Sequence, residues 1–160
     1  MTYSQAFFLQ ARSAIEACQL LERESADLCQ RLHFLQMATE CTAKAIQARH
    51  LSKRPAFSHT AFTNAVLLIR LELVALRRSG DANAADSRFI RRVNSIIGFA
   101  QQVESLHPSV RARACNVEYP WEVHGIVLSP VKYRFSREFP RSKRLTLLTV
   151  LDSLLRRHGH

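Results

Sequence analysis

The sequence predicts an all-α fold, an up-and-down bundle of four to five helices in which residues 1–160 form a single domain. Apolar residues recur at spacings of three and four in five segments, as on the buried face of an amphipathic helix. The length of 160 residues suits one domain. Only four glycines occur in the chain, and four of the five prolines fall within residues 108–141, so little interrupts the helices elsewhere.

The first two predicted helices lie in the N-terminal third of the chain. The first is expected to begin at a cap on Ser4 and to bury Phe7, Ala11, Ala14, Cys18 and Leu21. The second is expected to open near Ser25 and to end near His50, because Pro55 disfavours helical geometry in the residue before it. Its inward stripe is Leu28, Leu32, Leu35, Thr39, Thr42 and Ile46.

The third helix is predicted from about Ser58 to Arg78, and the fourth from about Asp86 to a point before Pro108. Their inward stripes are Phe62, Val66, Ile69, Leu73 and Leu76, and then Phe89, Val93, Ile96, Ala100 and Val103.

The remaining segments are an irregular strap and a last helix. Residues 108–141 are rich in proline and predict a strap or a short hairpin over the bundle, with alternating runs at 127–128 and 131–135. The last helix is predicted from about Ser142 to Arg157, with its leucines inward at positions 145, 148, 151, 154 and 155. Its basic residues are expected to face solvent or a partner: Arg141, Lys143, Arg144, Arg156 and Arg157.

The net charge of +10 lies mainly in the C-terminal part, where residues 132–160 carry eight basic and two acidic groups. This asymmetry favours an acidic partner, either nucleic acid or an acidic protein surface. Two clusters are candidate nucleic-acid contacts that neutralise phosphates: Arg88, Arg91 and Arg92, and Arg141, Lys143 and Arg144. A solvated basic rim is the alternative interpretation of both clusters.

Several function classes lack their motifs in this chain. No apolar run approaches the roughly 20 residues of a membrane span, and the N-terminus has no signal-peptide pattern, so a cytoplasmic protein without a membrane partner is expected. The four cysteines form no C-x-x-C pair and predict buried free thiols. Glycine-rich phosphate loops, G-x-S-x-G and H-E-x-x-H are missing, so no metal and no cofactor are predicted.

A polar column runs along the predicted second helix. Gln36, Glu40 and Lys44 stand four apart and therefore stack on one side of the helix. They form either a ligand-facing column or a solvated face with an ion pair between Glu40 and Lys44. His33 lies one turn away and is able to join them.

This column, followed by a loop and His59 ahead of the next apolar helix, resembles the HEPN superfamily of small helical bundles. The segment NVEYPWE, residues 116–122, is similar to the tyrosine-proline segment in the branch associated with nucleotidyltransferases. The resemblance implies a non-catalytic bundle that binds RNA, a nucleotide or a partner nucleotidyltransferase, as a homodimer or a subunit, in a phage-defence or toxin-antitoxin setting. Its ligand-binding residues would be Gln36, Glu40, Lys44 and Tyr119.

Two alternatives remain open. HEPN ribonucleases resemble one another in an R-x(4 to 6)-H motif, and Arg54 with His59 matches its spacing. The resemblance then implies a metal-independent endoribonuclease toxin in which the histidine is the base and the arginine steadies the phosphate charge. The other alternative is a structural adaptor of a larger complex that uses its basic C-terminal helix on an acidic protein.

Overall fold

The computed structural model describes residues 1–51, 61–78, 87–107, 116–118 and 120–158, and within them the all-α prediction is confirmed. The described residues form five helices, α1 (Tyr3–Arg23), α2 (Leu28–Leu51), α3 (Ala61–Arg78), α4 (Ser87–Glu104) and α5 (Arg141–His158). A two-stranded antiparallel hairpin, β1 (Trp121–Val123) and β2 (Ile126–Leu128), lies between α4 and α5 in the chain. Across these same ranges, no helix has the length and apolar character needed to cross a membrane.

Helix α2 lies at the centre of the bundle. It contacts each of the other four helices, while α1, α5, α4 and α3 follow one another around it. Every residue from 41 to 48 is buried, so this part of α2 is enclosed on all sides rather than along one stripe. Three alanines in the stretch, Ala43, Ala45 and Ala48, leave room for neighbouring helices to approach closely.

The start of α1 differs from the prediction. Thr2, not Ser4, caps the helix: its hydroxyl accepts from the Gln5 N–H at 3.2 Å, and the Gln5 side chain accepts from the Thr2 N–H at 2.8 Å. Ser4 instead donates to the Ala45 carbonyl of α2 at 3.1 Å. The predicted cap was wrong by two residues because the reciprocal Thr-Gln pair satisfies two backbone groups at once.

The hairpin turns at His124 and Gly125, which both adopt positive φ angles of 50° and 78°. Such a pair of angles matches the twist of the two strands in a tight hairpin. The predicted run at 127–128 belongs to this hairpin, whereas residues 131–135 enter two short 3-10 turns, Pro130–Lys132 and Phe135–Arg137. Phe135 and Phe139 are fully buried and anchor the segment to the core.

Helix α5 buries its leucine face, with one correction. Leu148, Leu151, Leu154 and Leu155 point inward as predicted, together with Leu147. Leu145 is 41% exposed, so its predicted inward position was wrong. Its neighbour Arg144 is buried instead, because an acidic side chain of α1 faces it.

Candidate functional site

The polar column of α2 forms a continuous hydrogen-bonded chain. Gln36 Nε2 donates to Glu40 Oε2 at 2.9 Å, and Lys44 Nζ donates to Glu40 Oε1 at 2.5 Å. The three residues therefore meet as the spacing predicted. Gln36 is only 1% exposed and Lys44 only 7%, so the column faces the interior more than solvent. Lys44 Nζ also lies 5.9 Å from the centre of the Phe7 ring on α1.

One side of this column borders a cleft of about 430 Å³ between α1, α2 and the segments that follow α4. The lining residues are Phe7, Gln10, His33, Gln36, Met37, Glu40, Cys41, Lys44, His107 and Glu118. Across the cleft, His33 Nδ1 lies 3.4 Å from Glu118 Oε1. Asn116 shapes this wall, because its side-chain oxygen accepts from the Glu118 N–H at 2.9 Å. The structure thus brings the α2 column and the start of the 116–122 segment together.

The described lining of the cleft carries two carboxylates and one ammonium group. Lys44 is already bonded to Glu40, and Glu118 adds a second carboxylate. Burial, followed by the Glu40 charge, raises the pKa of Cys41 to about 11, so this thiol stays protonated and unreactive at neutral pH. The cleft therefore suits a polar ligand without strong negative charge better than a polyphosphate.

A buried carboxyl that sequence reasoning missed lies behind the column. Glu104, the last residue of α4, is fully buried, and its Oε1 accepts from the Phe62 N–H at the start of α3 at 3.0 Å. Its Oε2 has no hydrogen-bond partner within the part of the chain that the structure describes. Burial first, and the Glu40 charge in addition, raise the pKa of Glu104 to about 8, against the opposing Phe62 N–H. The carboxyl is therefore mainly protonated at neutral pH. The sequence contained one indication of this burial, because Glu104 lies four residues after Ala100 and so continues the apolar stripe of α4.

Arg144, predicted to contact nucleic acid, belongs to a buried ion pair. It is 3% exposed, and its guanidinium donates to both carboxylate oxygens of Glu22, at 2.6 and 3.1 Å, and to the Phe139 carbonyl at 2.6 Å. Arg31 also donates to Glu22, at 3.0 Å. Burial opposes ionisation of Glu22, but the hydrogen bond and charge of Arg144 lower its pKa below the usual value. The surface role for Arg144 is corrected, because its donors are occupied inside the bundle.

A cationic groove of about 690 Å³ runs between α4 and α5. Its lining residues are Phe89, Arg92, Thr149, Asp152, Ser153, Arg156 and Arg157. The Arg157 guanidinium lies 5.1 Å from the centre of the Phe89 ring, and Arg156 pairs with Asp152. Three arginines against one aspartate leave the groove positively charged.

The predicted basic clusters are divided by the fold. Arg92 lies in the cationic groove, and Arg91 is exposed on the same helix. Arg141 and Lys143 are exposed near the other end of α5, about 20 Å along the helix from Arg156 at 1.5 Å per residue. Sequence reasoning placed Arg156 and Arg157 at the surface but did not connect them with Arg92, because the pairing of α4 with α5 is a tertiary contact.

Among the described residues, one group of side chains has the composition of a metal site. His50 at the end of α2, Glu72 in α3 and His158 at the end of α5 each place a ligand atom within 4.8 Å of the others. The sequence predicted no metal, and the spacing along the chain offers no motif that would have indicated this group.

The predicted catalytic residues Arg54 and His59 lie outside the described residues, as do Tyr119 and the side chain of Arg88. The endoribonuclease interpretation and the ligand role of Tyr119 therefore stay predictions. No protein-family model, curated protein or solved structure matched the chain. The resemblance to the HEPN superfamily likewise stays a prediction.

Proposed function

We propose that the protein is a non-catalytic, HEPN-like helical bundle that binds RNA in the cationic groove between α4 and α5. The observation that supports this proposal is the convergence of Arg92, Arg156 and Arg157 around Phe89. Guanidinium groups neutralise phosphates, and most of the affinity of such a surface for RNA is electrostatic. The Phe89 ring and the Arg157 guanidinium beside it offer flat faces on which unpaired bases stack.

The charge distribution favours this groove over the cleft beside the α2 column. In the cleft, the ammonium of Lys44 is bonded to Glu40, so a phosphate there would compete with a carboxylate that is already in place. The described lining of the groove instead carries three arginines and one aspartate, Asp152, which pairs with Arg156. The excess positive charge of the chain also lies in the C-terminal part that contains α5.

The rest of the HEPN interpretation belongs to the same proposal. A homodimer or a nucleotidyltransferase partner, and a role in phage defence or a toxin-antitoxin system, follow from the resemblance of the α2 column and the 116–122 segment to that family. The cleft formed by His33, Gln36, Glu40, Lys44 and Glu118 is the surface at which a small polar ligand or a partner side chain would bind.

RNA binding is tested by fluorescence anisotropy with a labelled single-stranded RNA at about 50 and 200 mM salt. The double variant Arg92→Gln, Arg157→Gln should bind at least about tenfold more weakly at the lower salt. The slope of log affinity against log salt concentration should also become shallower by about 1.4, because two phosphate contacts are lost and each contributes about 0.7 on a single strand. The double variant Arg134→Gln, Arg137→Gln is the matched control, because it removes the same charge at two arginines that are exposed outside the groove.

Three results decide between the candidate functions. No binding by the unchanged protein at the lower salt removes the RNA proposal and favours the protein adaptor. Equal weakening by the groove variant and by Arg134→Gln, Arg137→Gln shows that only net charge matters, which contradicts a defined groove. Cleavage of the RNA that His59→Ala abolishes would support the endoribonuclease instead.

A further inference from the structure

Three ligand-type side chains, none of them in the lining of the cationic groove, converge at the ends of α2 and α5. His50 Nε2 lies 3.3 Å from Glu72 Oε2, and His158 Nδ1 lies 3.6 Å from the same oxygen. The two imidazole rings are tilted by 56° to each other, with centroids 6.2 Å apart. In a tetrahedral zinc site with bonds of about 2.0–2.1 Å, neighbouring ligand atoms are about 3.3 Å apart. Two edges of the His50–Glu72–His158 triangle are thus already close to the spacing that a bound metal requires.

The three converging atoms are buried and unsatisfied. Neither contact has hydrogen-bond geometry, and His50 Nε2, Glu72 Oε2 and His158 Nδ1 all lack a hydrogen-bond partner within the described ranges. His158 is 2% exposed as a whole residue. Buried polar atoms are nearly always paired, so three unpaired ones that lie within 4.8 Å of one another point to a ligand that they share. A metal ion would accept a lone pair from each of the three at once.

The electrostatics of the surroundings favour a cation at this point. His50 lies in the last turn of α2 and His158 is the last residue of α5, so two helix C-termini with their negative partial charge meet at the triangle. Glu72 adds a full negative charge. Arg49 opposes the cation, but its guanidinium is bonded to the His158 carbonyl at 2.5 Å, where it holds the end of α5 against α2.

We propose that His50, Glu72 and His158 form a binding site for one divalent transition metal of the zinc type. Two imidazoles and one carboxylate suit Zn²⁺, and three protein ligands leave a coordination position for water or another small ligand. The bound metal joins α2, α3 and the end of α5, which are far apart in the sequence. This inference does not depend on RNA binding in the groove.

The test uses the full chain after removal of metals with a chelator. Titration with Zn²⁺ by calorimetry should show one bound equivalent, and Zn²⁺ should raise the melting temperature, because a ligand that binds only the folded state stabilises it. Glu72→Gln and His50→Gln each remove one ligand at a partly exposed side chain, so the fold should persist. Each should weaken Zn²⁺ binding at least tenfold, since even the loss of an outer partner costs about 10–100-fold. His124→Asn in the hairpin turn is the matched control and should bind like the unchanged protein, as asparagine tolerates positive φ.

Titration with Co²⁺ identifies the ligands independently. Binding at the triangle should give visible absorption of a low-coordinate Co²⁺ site without the near-ultraviolet charge-transfer band of thiolate ligands. Three outcomes would each overturn the proposal: no Zn²⁺ binding by the unchanged protein, binding that survives both Glu72→Gln and His50→Gln, or a thiolate band. In the first case the triangle is an ion-pair cluster only.

Discussion

Glu104 offers the most direct test of the interior of this bundle. The perturbation is Glu104→Gln, which keeps the shape of the side chain and an oxygen that can accept from the Phe62 N–H, but removes the ionisable group. We expect the variant to have a larger free energy of unfolding than the unchanged protein at neutral pH. The gain should grow as the pH rises.

The magnitude follows from the pKa of Glu104 in the two states. The carboxyl ionises near 4.5 in the unfolded chain and near 8 in the folded protein. Between these values the unfolded chain binds fewer protons than the folded one, so the free energy of unfolding falls as the pH rises. Each unit of difference between the two pKa values corresponds to about 1.4 kcal/mol. Ionisation of Glu104 therefore lowers the free energy of unfolding by about 3 kcal/mol at pH 7, and by at most about 5 kcal/mol above pH 8. Below about pH 4.5 both states are protonated and this contribution disappears.

The assay is urea unfolding followed by far-ultraviolet circular dichroism at pH 5, 6, 7 and 8. The difference between Glu104→Gln and the unchanged protein should rise by about 1.4 kcal/mol per pH unit from pH 5 to about 8. Glu122→Gln, an exposed change in the hairpin, is the control and should follow the unchanged protein. The reasoning is refuted if the free energy of unfolding depends on pH in the same way for the unchanged protein and for Glu104→Gln, with equal urea m-values. Glu104 would then have the same pKa in the folded and the unfolded chain.

Three further predictions address other parts of the structure. Arg144→Met leaves Glu22 buried without its main partner and should lower the free energy of unfolding in urea by about 3–5 kcal/mol. Adding Glu22→Leu should restore most of this stability, and no recovery would contradict the pairing. Leu35→Ala opens a cavity in the central helix and should cost about 2–5 kcal/mol by the same assay, so a loss below about 1 kcal/mol would argue against the enclosed position of α2. With metals removed by a chelator, the free energy of unfolding should fall as the pH drops from 6.5 toward 4, because His158 is protonated in the unfolded chain before it is in the folded one. His158→Gln should reduce this dependence on pH, and an unchanged dependence would contradict the prediction.

Much of the helical fold was predictable because helix formation depends on neighbours three and four residues apart. The stripes at Phe62, Val66 and Ile69 and at Phe89, Val93 and Ile96 repeat at that interval, and the structure places helices there. The alignment of Gln36, Glu40 and Lys44 was predictable for the same reason. The depth at which this column lies was not, because it depends on how many other helices surround α2.

Periodicity alone thus determined where this chain is helical and which side chains share a helix face. The tertiary structure decided the partners: Glu22 for Arg144, Phe62 for Glu104, and the meeting of His50 with Glu72 and His158. The physical reason is that helix periodicity is a local property of the backbone, whereas burial, a raised or lowered pKa and a converging set of ligand atoms arise only when distant segments exclude water together.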